Sequence, residues 1–367
     1  MNDSVYMARA LKLARQGLYT TDPNPRVGCV LVRSGQCVGE GWHQQTGNAH
    51  AEINALHQAG AQAQGATCYV TLEPCCHQGR TPPCTEALLK AGVKRVVAAM
   101  EDPNPKVAGQ GLAQLKAAGI QVECGLLQEE AQALNRGFIQ RLLQGRPWVR
   151  CKLAMSLDGA TALASGESQW ITSPPARRDV QRWRAQSSAI LTGIGTVLRD
   201  NPALNVRYEE LPNELLSAPD RQPLRIILDR KLAIPESARL FSLPGKILIV
   251  CADSSLVKAE RLRRMGVEVI AIPATQQGLD LKALMGVLAH REINELQIEC
   301  GARLAGSFLQ AGLIDELLLY IAPKIMGDAA LGLFRLPGIQ TMDNCIEVEI
   351  KEIRAVGRDL RLLAKVK

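Results

Sequence analysis

Residues 73–84 read EPCCHQGRTPPC, and residues 50–52 upstream of them read HAE. Together the two stretches offer His50, Cys75 and Cys84, one imidazole and two thiolates, a ligand set suited to a tetrahedral zinc ion with its fourth position open. A catalytic zinc requires an open position, because a water molecule must bind there and lose a proton near neutral pH. Glu52 follows His50 by two residues and can shuttle that proton without binding the metal.

The order of these residues, His-x-Glu followed by Pro-Cys and Cys, resembles the zinc-dependent nucleobase and nucleotide deaminases. In that family a glutamate acts as general acid and base, moving protons to the ring nitrogen and the departing ammonia. The resemblance implies that His50, Cys75 and Cys84 bind zinc and that Glu52 is the catalytic proton shuttle.

The spacing of the cysteines departs from the family pattern. Two residues separate them in the usual signature, whereas eight separate Cys75 from Cys84 here. Cys76 and His77 in the insertion are competing ligands, so a structural zinc site, or no metal, is the alternative. A structural site normally has four closed protein ligands. Cys75 is favoured over Cys76 because it directly follows Pro74, as the signature requires.

The size and composition of the chain indicate two globular domains. Its 367 residues exceed one ordinary domain of about 100–200 residues, and 47% of them are hydrophobic. Aromatic residues make up only 4%, and the formal net charge of +7 is spread along the chain. A nucleic-acid-binding protein would show a basic run or aromatic side chains that stack on bases. We therefore expect no nucleic acid as a partner, and the mild excess of Arg suits small phosphorylated ligands instead.

The sequence has no feature of export or membrane insertion. Its first residues lead into an amphipathic helix rather than the apolar core of a signal peptide. No window approaches the ~18–20 uninterrupted apolar residues of a membrane span. We expect a soluble, cytoplasmic protein with no membrane partner.

The first part of the chain alternates between helices and strands. Apolar spacing predicts helices at residues 4–17, 50–59, 85–91, 111–118 and 128–143, and strands at 29–32, 38–42, 66–71, 93–99 and near 122. This order describes an α/β sandwich, which agrees with the deaminase fold.

Asn24 lies between Pro23 and Pro25, just before the first predicted strand. The two prolines fix its backbone, and its amide carries both donors and acceptors, which suits the edge of a base. Pro-Asn-Pro alone is more often only a turn. Upstream of a His-x-Glu helix it looks like the substrate-facing loop of the deaminases, so we expect Asn24 to bind substrate.

A domain boundary is expected at residues 144–147, where Gly145 and Pro147 end the preceding helix. Residues 1–146 then form the first domain and residues 147–367 the second. Downstream, the pattern predicts strands at 148–154, 189–192, 224–228, 246–250, 267–272, 295–299 and 317–322, with helices at 173–185, 258–265, 281–290 and 304–311. This alternation predicts a mostly parallel α/β domain, with residues 208–222 as an exposed insertion.

No dinucleotide-binding fingerprint is present in the second domain. Gly193 and Gly195 form a lone Gly-x-Gly, with Leu198 where a third glycine would stand. Gly301 follows a predicted strand and opens a predicted helix, whose first backbone N–H groups could hold a diphosphate. Such strand-to-helix turns are common, so a purely structural role for Gly301 stays open on these grounds alone.

Four segments of the second domain are recognisable as a set: KLAMSLDG at 152–159, ESQWIT at 167–172, TGIGTVLRDNP at 192–202 and IECG at 298–301. With the motifs of the first domain, they make the chain similar to the bifunctional riboflavin-biosynthesis deaminase–reductases over nearly its whole length. The resemblance implies an N-terminal fold like that of cytidine deaminase and a C-terminal α/β fold like that of dihydrofolate reductase. The latter uses NADPH without the Rossmann glycines.

The same resemblance implies two consecutive reactions on a pyrimidine ribotide. The first hydrolytically deaminates 2,5-diamino-6-ribosylamino-4(3H)-pyrimidinone 5′-phosphate, and the second reduces the ribosyl group to ribityl. One Zn²⁺ and NADPH are the implied cofactors. Family motifs place NADPH against Ala154, Trp170, Thr196, Asp200, Gly301, Ala302, Arg303, Leu304, Ala305, Gly306 and Ser307. They place the substrate against Ser168, Arg184, Leu204, Arg207 and Glu299.

Two of these residues are assigned to the phosphate of the substrate. Arg184 and Arg207 suit it because a planar guanidinium can bind a phosphate bidentately. The alternative is that they belong to a solvated helix face and a loop, and Arg177, Arg178 and Arg182 are near enough in sequence to compete.

Two other classes of protein share part of this pattern. A polynucleotide deaminase would have the same zinc ligands, but it needs a basic, aromatic groove that the composition does not provide. A zinc-stabilised binding module without catalysis would not need Glu52. A homo-oligomer, either a dimer or a tetramer, stays open.

Overall fold

The computed structural model describes residues 3–77, 82–105, 107–211, 221–276 and 278–367. They form two units, Met1–Gly145 and Arg146–Lys367, each built on its own β-sheet. Within these ranges no helix is long and apolar enough to cross a membrane. Most of the insertion predicted at 208–222 lies outside the described residues.

A five-stranded sheet carries the first unit, in the order β2-β1-β3-β4-β5. Its strands are β1 Gly28–Arg33, β2 Gln36–Trp42, β3 Thr67–Val70, β4 Arg95–Ala98 and β5 Gln121–Cys124. β1 is antiparallel to both of its neighbours, whereas β3, β4 and β5 run parallel.

Helices cover both faces of this sheet. They are α1 Asp3–Ala14, α2 Ala51–Ala59, α3 Cys84–Lys90, α4 Gln110–Ala117, α5 Gln128–Leu134 and α6 Arg136–Gln144. Alternate residues of β1 enter two separate cores: Leu31 packs with α2, α3 and α4, and Val30 packs with α1. A strand buried on both sides carries a continuous apolar run, and the predicted α/β sandwich is confirmed.

Two glycines of β2 bring α2 close to the sheet. A Cβ at Gly39 would lie 2.3 Å from the carbonyl oxygen of Ala55, and one at Gly41 would lie 2.4 Å from that of Ala51. Neither position can therefore carry a side chain while the helix stays in place. The close contact fixes the start of α2, where His50 is the N-cap residue.

The single helix predicted at 128–143 is two helices in the structure. Asn135 separates α5 from α6 because its side chain forms hydrogen bonds with the backbone of Arg26, which is distant in the sequence. Its Oδ1 accepts from the N–H of Arg26 at 2.8 Å, and its Nδ2 donates to the carbonyl of Arg26 at 3.0 Å. This tertiary contact overrides the helical periodicity and holds the turn that carries Asn24.

A nine-stranded sheet carries the second unit, in the order β11-β10-β9-β8-β14-β6-β15-β18-β17. The strands of this unit are β6 Trp148–Ser156, β7 Ala160–Ala162, β8 Ala189–Gly193, β9 Leu224–Leu228, β10 Ile247–Cys251, β11 Glu268–Ala271, β12 Ala274–Thr275, β13 Gly278–Leu279, β14 Glu295–Glu299, β15 Glu316–Ala322, β16 Leu331–Gly332, β17 Val348–Val356 and β18 Asp359–Val366. Neighbours from β11 to β15 are parallel, and β18 and β17 add an antiparallel edge. β7 pairs with β16, and β12 with β13, outside this sheet.

The helices of the second unit are α7 Pro174–Gln186, α8 Ile194–Asp200, α9 Val257–Arg264, α10 Leu281–His290 and α11 Ala302–Gln310. They join successive parallel strands and pack on the sheet through separate cores. The predicted, mostly parallel α/β architecture is confirmed.

The interior strand β6, between β14 and β15, carries a buried charge. Arg150 is 1% exposed, and its guanidinium donates to Glu316 on β15 at 2.6 Å and to Glu295 on β14 at 3.3 Å. It also lies 4.4 Å above the ring of Trp183 on α7. A buried Arg without such partners would be strongly destabilising, so these contacts favour β14 and β15 as the neighbours of β6 in the observed register.

Candidate active sites

Three side chains of the first unit converge. The ligand atoms of His50, Cys75 and Cys84 lie within 4.8 Å of one another. His50 Nδ1 is 3.3 Å from Cys84 Sγ and 3.6 Å from Cys75 Sγ. One imidazole and two thiols at these separations fit a zinc ion that keeps a fourth position open.

Two helix starts and one loop position these ligands. His50 caps α2 and Cys84 begins α3, while Cys75 lies between them in the loop after β3. The Cys84 N–H points at Cys75 Sγ, 3.4 Å away. Hydrogen bonds from the Cys84 thiol and from His50 lower the pKa of Cys75. The lowered pKa favours the thiolate of Cys75, the form of cysteine that binds metal.

The competing ligands lie apart from this group. Cys76 is half-buried and His77 is exposed, and neither belongs to the cluster that His50, Cys75 and Cys84 form. Burial raises the pKa of Cys76, which disfavours its thiolate. Residues 78–81 of the insertion lie outside the described residues.

Glu52 is buried beside the three ligands. It lies in the first turn of α2 with 3% of its surface exposed, and its side chain contacts the Cys84 thiol. Burial raises its pKa, and the nearby His50 acts in the opposite direction. A carboxyl group in such a place can both take up and release a proton at working pH.

Glu73 supports the ligand loop, a role that sequence analysis did not predict. Its carboxylate accepts hydrogen bonds from four backbone N–H groups: those of Asp102 at 3.0 Å, Gly109 at 2.9 Å, Gly111 at 2.8 Å and Leu112 at 3.2 Å. The residue is only 3% exposed. Its place directly before the Pro-Cys pair was the only available signal, because the partners are distant in sequence.

His43, a residue that was not predicted from the sequence, lies between Asn24 and the metal ligand His50. Asn24 Nδ2 is 3.1 Å from His43 Nε2, and His43 Nδ1 is 3.1 Å from the carbonyl oxygen of Ala49. The ring of His43 meets that of His50 edge to face, with centroids 5.5 Å apart. Burial lowers the pKa of His43.

Hairpin register was the signal that could have revealed His43. Gly28 at the start of β1 pairs with Trp42 at the end of β2. Residues just before β1 therefore lie beside residues just after β2, which brings Asn24 to His43.

In the second unit, two predicted substrate residues form a buried ion pair. Arg184 donates through Nε and Nη2 to the two carboxylate oxygens of Glu299, at 2.7 and 2.8 Å. Its Nη1 donates to the carbonyl oxygen of Asn205 at 2.9 Å. Burial raises the pKa of Glu299, but Arg184 and Lys152 outweigh it and lower the pKa to about 2. Arg184 thus links Glu299 to the loop that also carries Leu204.

The other predicted Arg has a different partner. Arg207 pairs with Glu210 at 2.6 Å, so the structure does not bring it to Glu299. Leu204 is buried, and Ser168 is half-buried. Trp170 is exposed, with the Arg177 guanidinium 4.4 Å above its ring.

Most of the predicted cofactor residues lie near the carboxyl ends of three adjacent strands. β8, β14 and β6 are neighbouring and parallel, and the predicted residues near their ends are Ala154, Thr196, Asp200 and residues 301–307. Crevices at such ends are the usual ligand sites of α/β sheets.

This edge of the sheet has open space at the start of α11 and a buried hydroxyl group without a hydrogen-bond partner among the described residues. A Cβ at Gly301, the N-cap of α11, would meet no atom within 4 Å. The buried hydroxyl of Thr192, at the end of β8, has no hydrogen-bond partner among the described residues. Open space at a helix start suits a diphosphate, so these residues fit a dinucleotide such as NADPH.

Two family models match the chain. The model of the cytidine and deoxycytidylate deaminase zinc-binding region matches residues 1–100, and that of the RibD C-terminal domain matches residues 147–362.

Full-length relatives match as well. The riboflavin biosynthesis protein RibD of Escherichia coli is 52% identical over 367 residues, which covers 99% of each chain. That of Haemophilus influenzae is 49% identical and covers 98% of this chain and 96% of its own.

Solved structures of two relatives superpose over the whole chain. RibD of Acinetobacter baumannii is 45% identical with a TM-score of 0.92. A diaminohydroxyphosphoribosylaminopyrimidine deaminase/5-amino-6-(5-phosphoribosylamino)uracil reductase of Thermotoga maritima is 32% identical with a TM-score of 0.86. Both alignments cover 100% of this chain and 99% of the other.

Proposed function

The chain belongs to the RibD family of riboflavin biosynthesis proteins, and on that premise we propose which residues perform each of its two reactions. It is a bifunctional enzyme of that pathway, a zinc-dependent deaminase and an NADPH-dependent reductase. It deaminates 2,5-diamino-6-ribosylamino-4(3H)-pyrimidinone 5′-phosphate and then reduces the ribosyl group to ribityl. We assign deamination to residues 1–146 and reduction to residues 147–367.

The convergence of His50, Cys75 and Cys84 beside a buried carboxyl carries the deaminase assignment. These three side chains would hold zinc, which when bound lowers the pKa of water to near neutrality. Glu52 takes one proton from the attacking water and delivers it to the ring nitrogen, and then carries the second, from the hydroxyl group formed at the carbon, to the amino group that leaves as ammonia. Asn24 binds the edge of the base through its side-chain amide.

The ion pair of Arg184 with Glu299 supports the reductase assignment. A largely buried ion pair at the carboxyl end of β14 is weak evidence for a purely stabilising role, because desolvation offsets the attraction, and carboxyl groups with strongly shifted pKa values cluster at functional sites. We assign Arg184, Glu299, Leu204, Ser168 and Arg207 to the ribotide, with the two guanidinium groups directed to its phosphate when it binds.

NADPH supplies the hydride when bound. The residues that would hold it lie along the carboxyl edge of β6, β8 and β14 and at the start of α11. They are Ala154, Thr196, Asp200, Gly301, Ala302, Arg303, Leu304, Ala305, Gly306 and Ser307, and we assign the exposed ring of Trp170, which precedes α7, to NADPH as well.

The order of the two reactions is tested by incubating the zinc-loaded protein with the diaminopyrimidinone ribotide, with and without NADPH. We expect ammonia release without NADPH, and a product heavier by two hydrogen atoms once NADPH is added. Reduction before ammonia release would contradict the order, and no ammonia at all would contradict the substrate.

The assignment of the deaminase residues is tested by three variants. Glu52→Gln should keep zinc and the fold and lose deamination, because the amide cannot carry the proton. Cys84→Ser should lose zinc as well. Cys76→Ser is the matched control, since this neighbouring cysteine lies outside the cluster, and it should keep both zinc and activity. Normal deamination by purified Glu52→Gln would refute the mechanism.

A further inference from the structure

The His43 ring is held between a fixed acceptor and a side-chain amide. Its Nδ1 is 3.1 Å from the carbonyl oxygen of Ala49. A carbonyl oxygen only accepts hydrogen bonds, so Nδ1 must carry the proton. In a neutral imidazole the other nitrogen, Nε2, then has no hydrogen and acts as an acceptor.

This protonation state determines which way the amide of Asn24 points. Its side chain lies 3.1 Å from His43 Nε2. Only the NH₂ group of the amide can donate to a nitrogen without a hydrogen, so Nδ2 faces His43. The carbonyl oxygen Oδ1 is therefore directed away from the ring.

Both ends of this chain of hydrogen bonds are fixed by the backbone. Ala49 directly precedes the predicted zinc ligand His50, and the N–H of His43 donates to the carbonyl of Val27 at 2.9 Å. The N–H of Asn24 donates to the carbonyl of Thr21 at 2.7 Å. The backbone is thus held at Asn24 and at His43, and the hydrogen bond between Asn24 Nδ2 and His43 Nε2 holds the side-chain amide.

We infer that His43 is a positioning residue that turns the amide oxygen of Asn24 toward the substrate. This inference deepens the proposed deaminase function and rests on the assignment of Asn24 to the base. An oxygen held in this way accepts from an N–H group on the edge of the pyrimidine. It opposes a ring with an acceptor at that position, because two acceptors would then face each other without a hydrogen.

The protonation state of His43 is tested by nitrogen NMR of the zinc-loaded protein with ¹⁵N-labelled histidine. The His43 signals are identified by their loss in His43→Gln. We expect a hydrogen on Nδ1 and none on Nε2. A hydrogen on Nε2, alone or together with one on Nδ1, would overturn the inference, because Asn24 would then have to present its oxygen to the ring.

The consequence for substrate binding is tested with two variants of His43. Phenylalanine keeps the shape of the ring but cannot hydrogen-bond, whereas the amide of glutamine can both donate to Ala49 and accept from Asn24. Loss of one such contact in a buried site corresponds to about a 10- to 100-fold lower kcat/KM for deamination in His43→Phe. We expect His43→Gln to restore most of it, with zinc content and reduction of the deaminated substrate unchanged in both.

The outcomes separate the inference from the function on which it rests. Equal kcat/KM for deamination in His43→Phe and the unaltered protein, or loss of zinc in both variants, would overturn the positioning role. Normal deamination by Asn24→Ala would instead contradict the assignment of Asn24 to the substrate, whatever the NMR result.

Discussion

Replacing Arg184 by methionine is expected to destabilise the second unit at neutral pH. Arg184 and Glu299 have only 12% and 13% of their side chains exposed. Methionine keeps much of the packing volume but removes the cation that contacts both carboxylate oxygens. Removing one partner of a buried ion pair costs about 3–5 kcal/mol, because the other charge stays buried without compensation.

The pH dependence of this effect follows from the pKa of Glu299. Although burial raises it, Arg184 and Lys152 lower it to about 2, against an ordinary value of 4.5. The folded state therefore binds this proton more weakly than the unfolded state. The resulting stability is complete above pH 4.5 and is lost as the pH falls toward 2. The difference corresponds to about 3 kcal/mol, and the variant lacks this contribution, so the two proteins should converge in stability below pH 4.5.

Urea unfolding followed by tryptophan fluorescence measures this difference. Three of the four tryptophans, at 148, 170 and 183, lie in the second unit, so the signal reports mainly on it. Arg261→Met is the matched control, because Arg261 pairs with Glu236 at the surface and should cost less than about 0.5 kcal/mol. The reasoning is refuted if Arg184→Met costs no more than this control at about pH 7, or if its deficit is the same at about pH 3.

Two further substitutions test the scaffold of the first unit. A Cβ at Gly111 would lie 2.1 Å from the carbonyl oxygen of Pro74, so Gly111→Ala should shift the ligand loop and lower zinc content and melting temperature. Gly286→Ala, in α10 with open space around it, should leave the zinc content unchanged and should not lower the melting temperature, because alanine favours a helix interior over glycine; equal zinc content in the two variants would contradict the prediction. Asn135→Ala removes both hydrogen bonds to Arg26 and should cost about 1–3 kcal/mol in urea unfolding; a cost below about 0.5 kcal/mol would show that this contact does not hold the turn.

The local pattern of apolar residues was sufficient to predict the buried elements of the fold. The run Cys29–Val32 predicted a strand because its side chains enter a core on each face of the sheet, as they do. The residues of the zinc motif could be selected from type and order alone, since few side chains bind zinc. These inferences need no knowledge of distant contacts.

The elements that were missed depend on contacts far along the chain. Asn135 interrupts a stretch with helical periodicity because its side-chain amide forms two hydrogen bonds with the backbone of Arg26. β17 was not predicted because a bulge between Ile350 and Glu352 shifts its alternation and most of its residues are exposed. Hydrogen bonds such as those of Glu73 and His43 join segments whose proximity is set by the completed sheet.

Arg150 also has a consequence for the order of folding during synthesis. Its carboxylate partners Glu295 and Glu316 follow it by 145 and 166 residues. At about 5–20 residues per second, the ribosome needs roughly 7–30 s to make the first of them. Throughout that interval β6 carries a cation and apolar side chains with no neighbouring strand, while the whole first unit has already been synthesised and can fold. A chain that ends before Glu316 leaves the centre of the second sheet incomplete, so this unit folds only when nearly all of it is present.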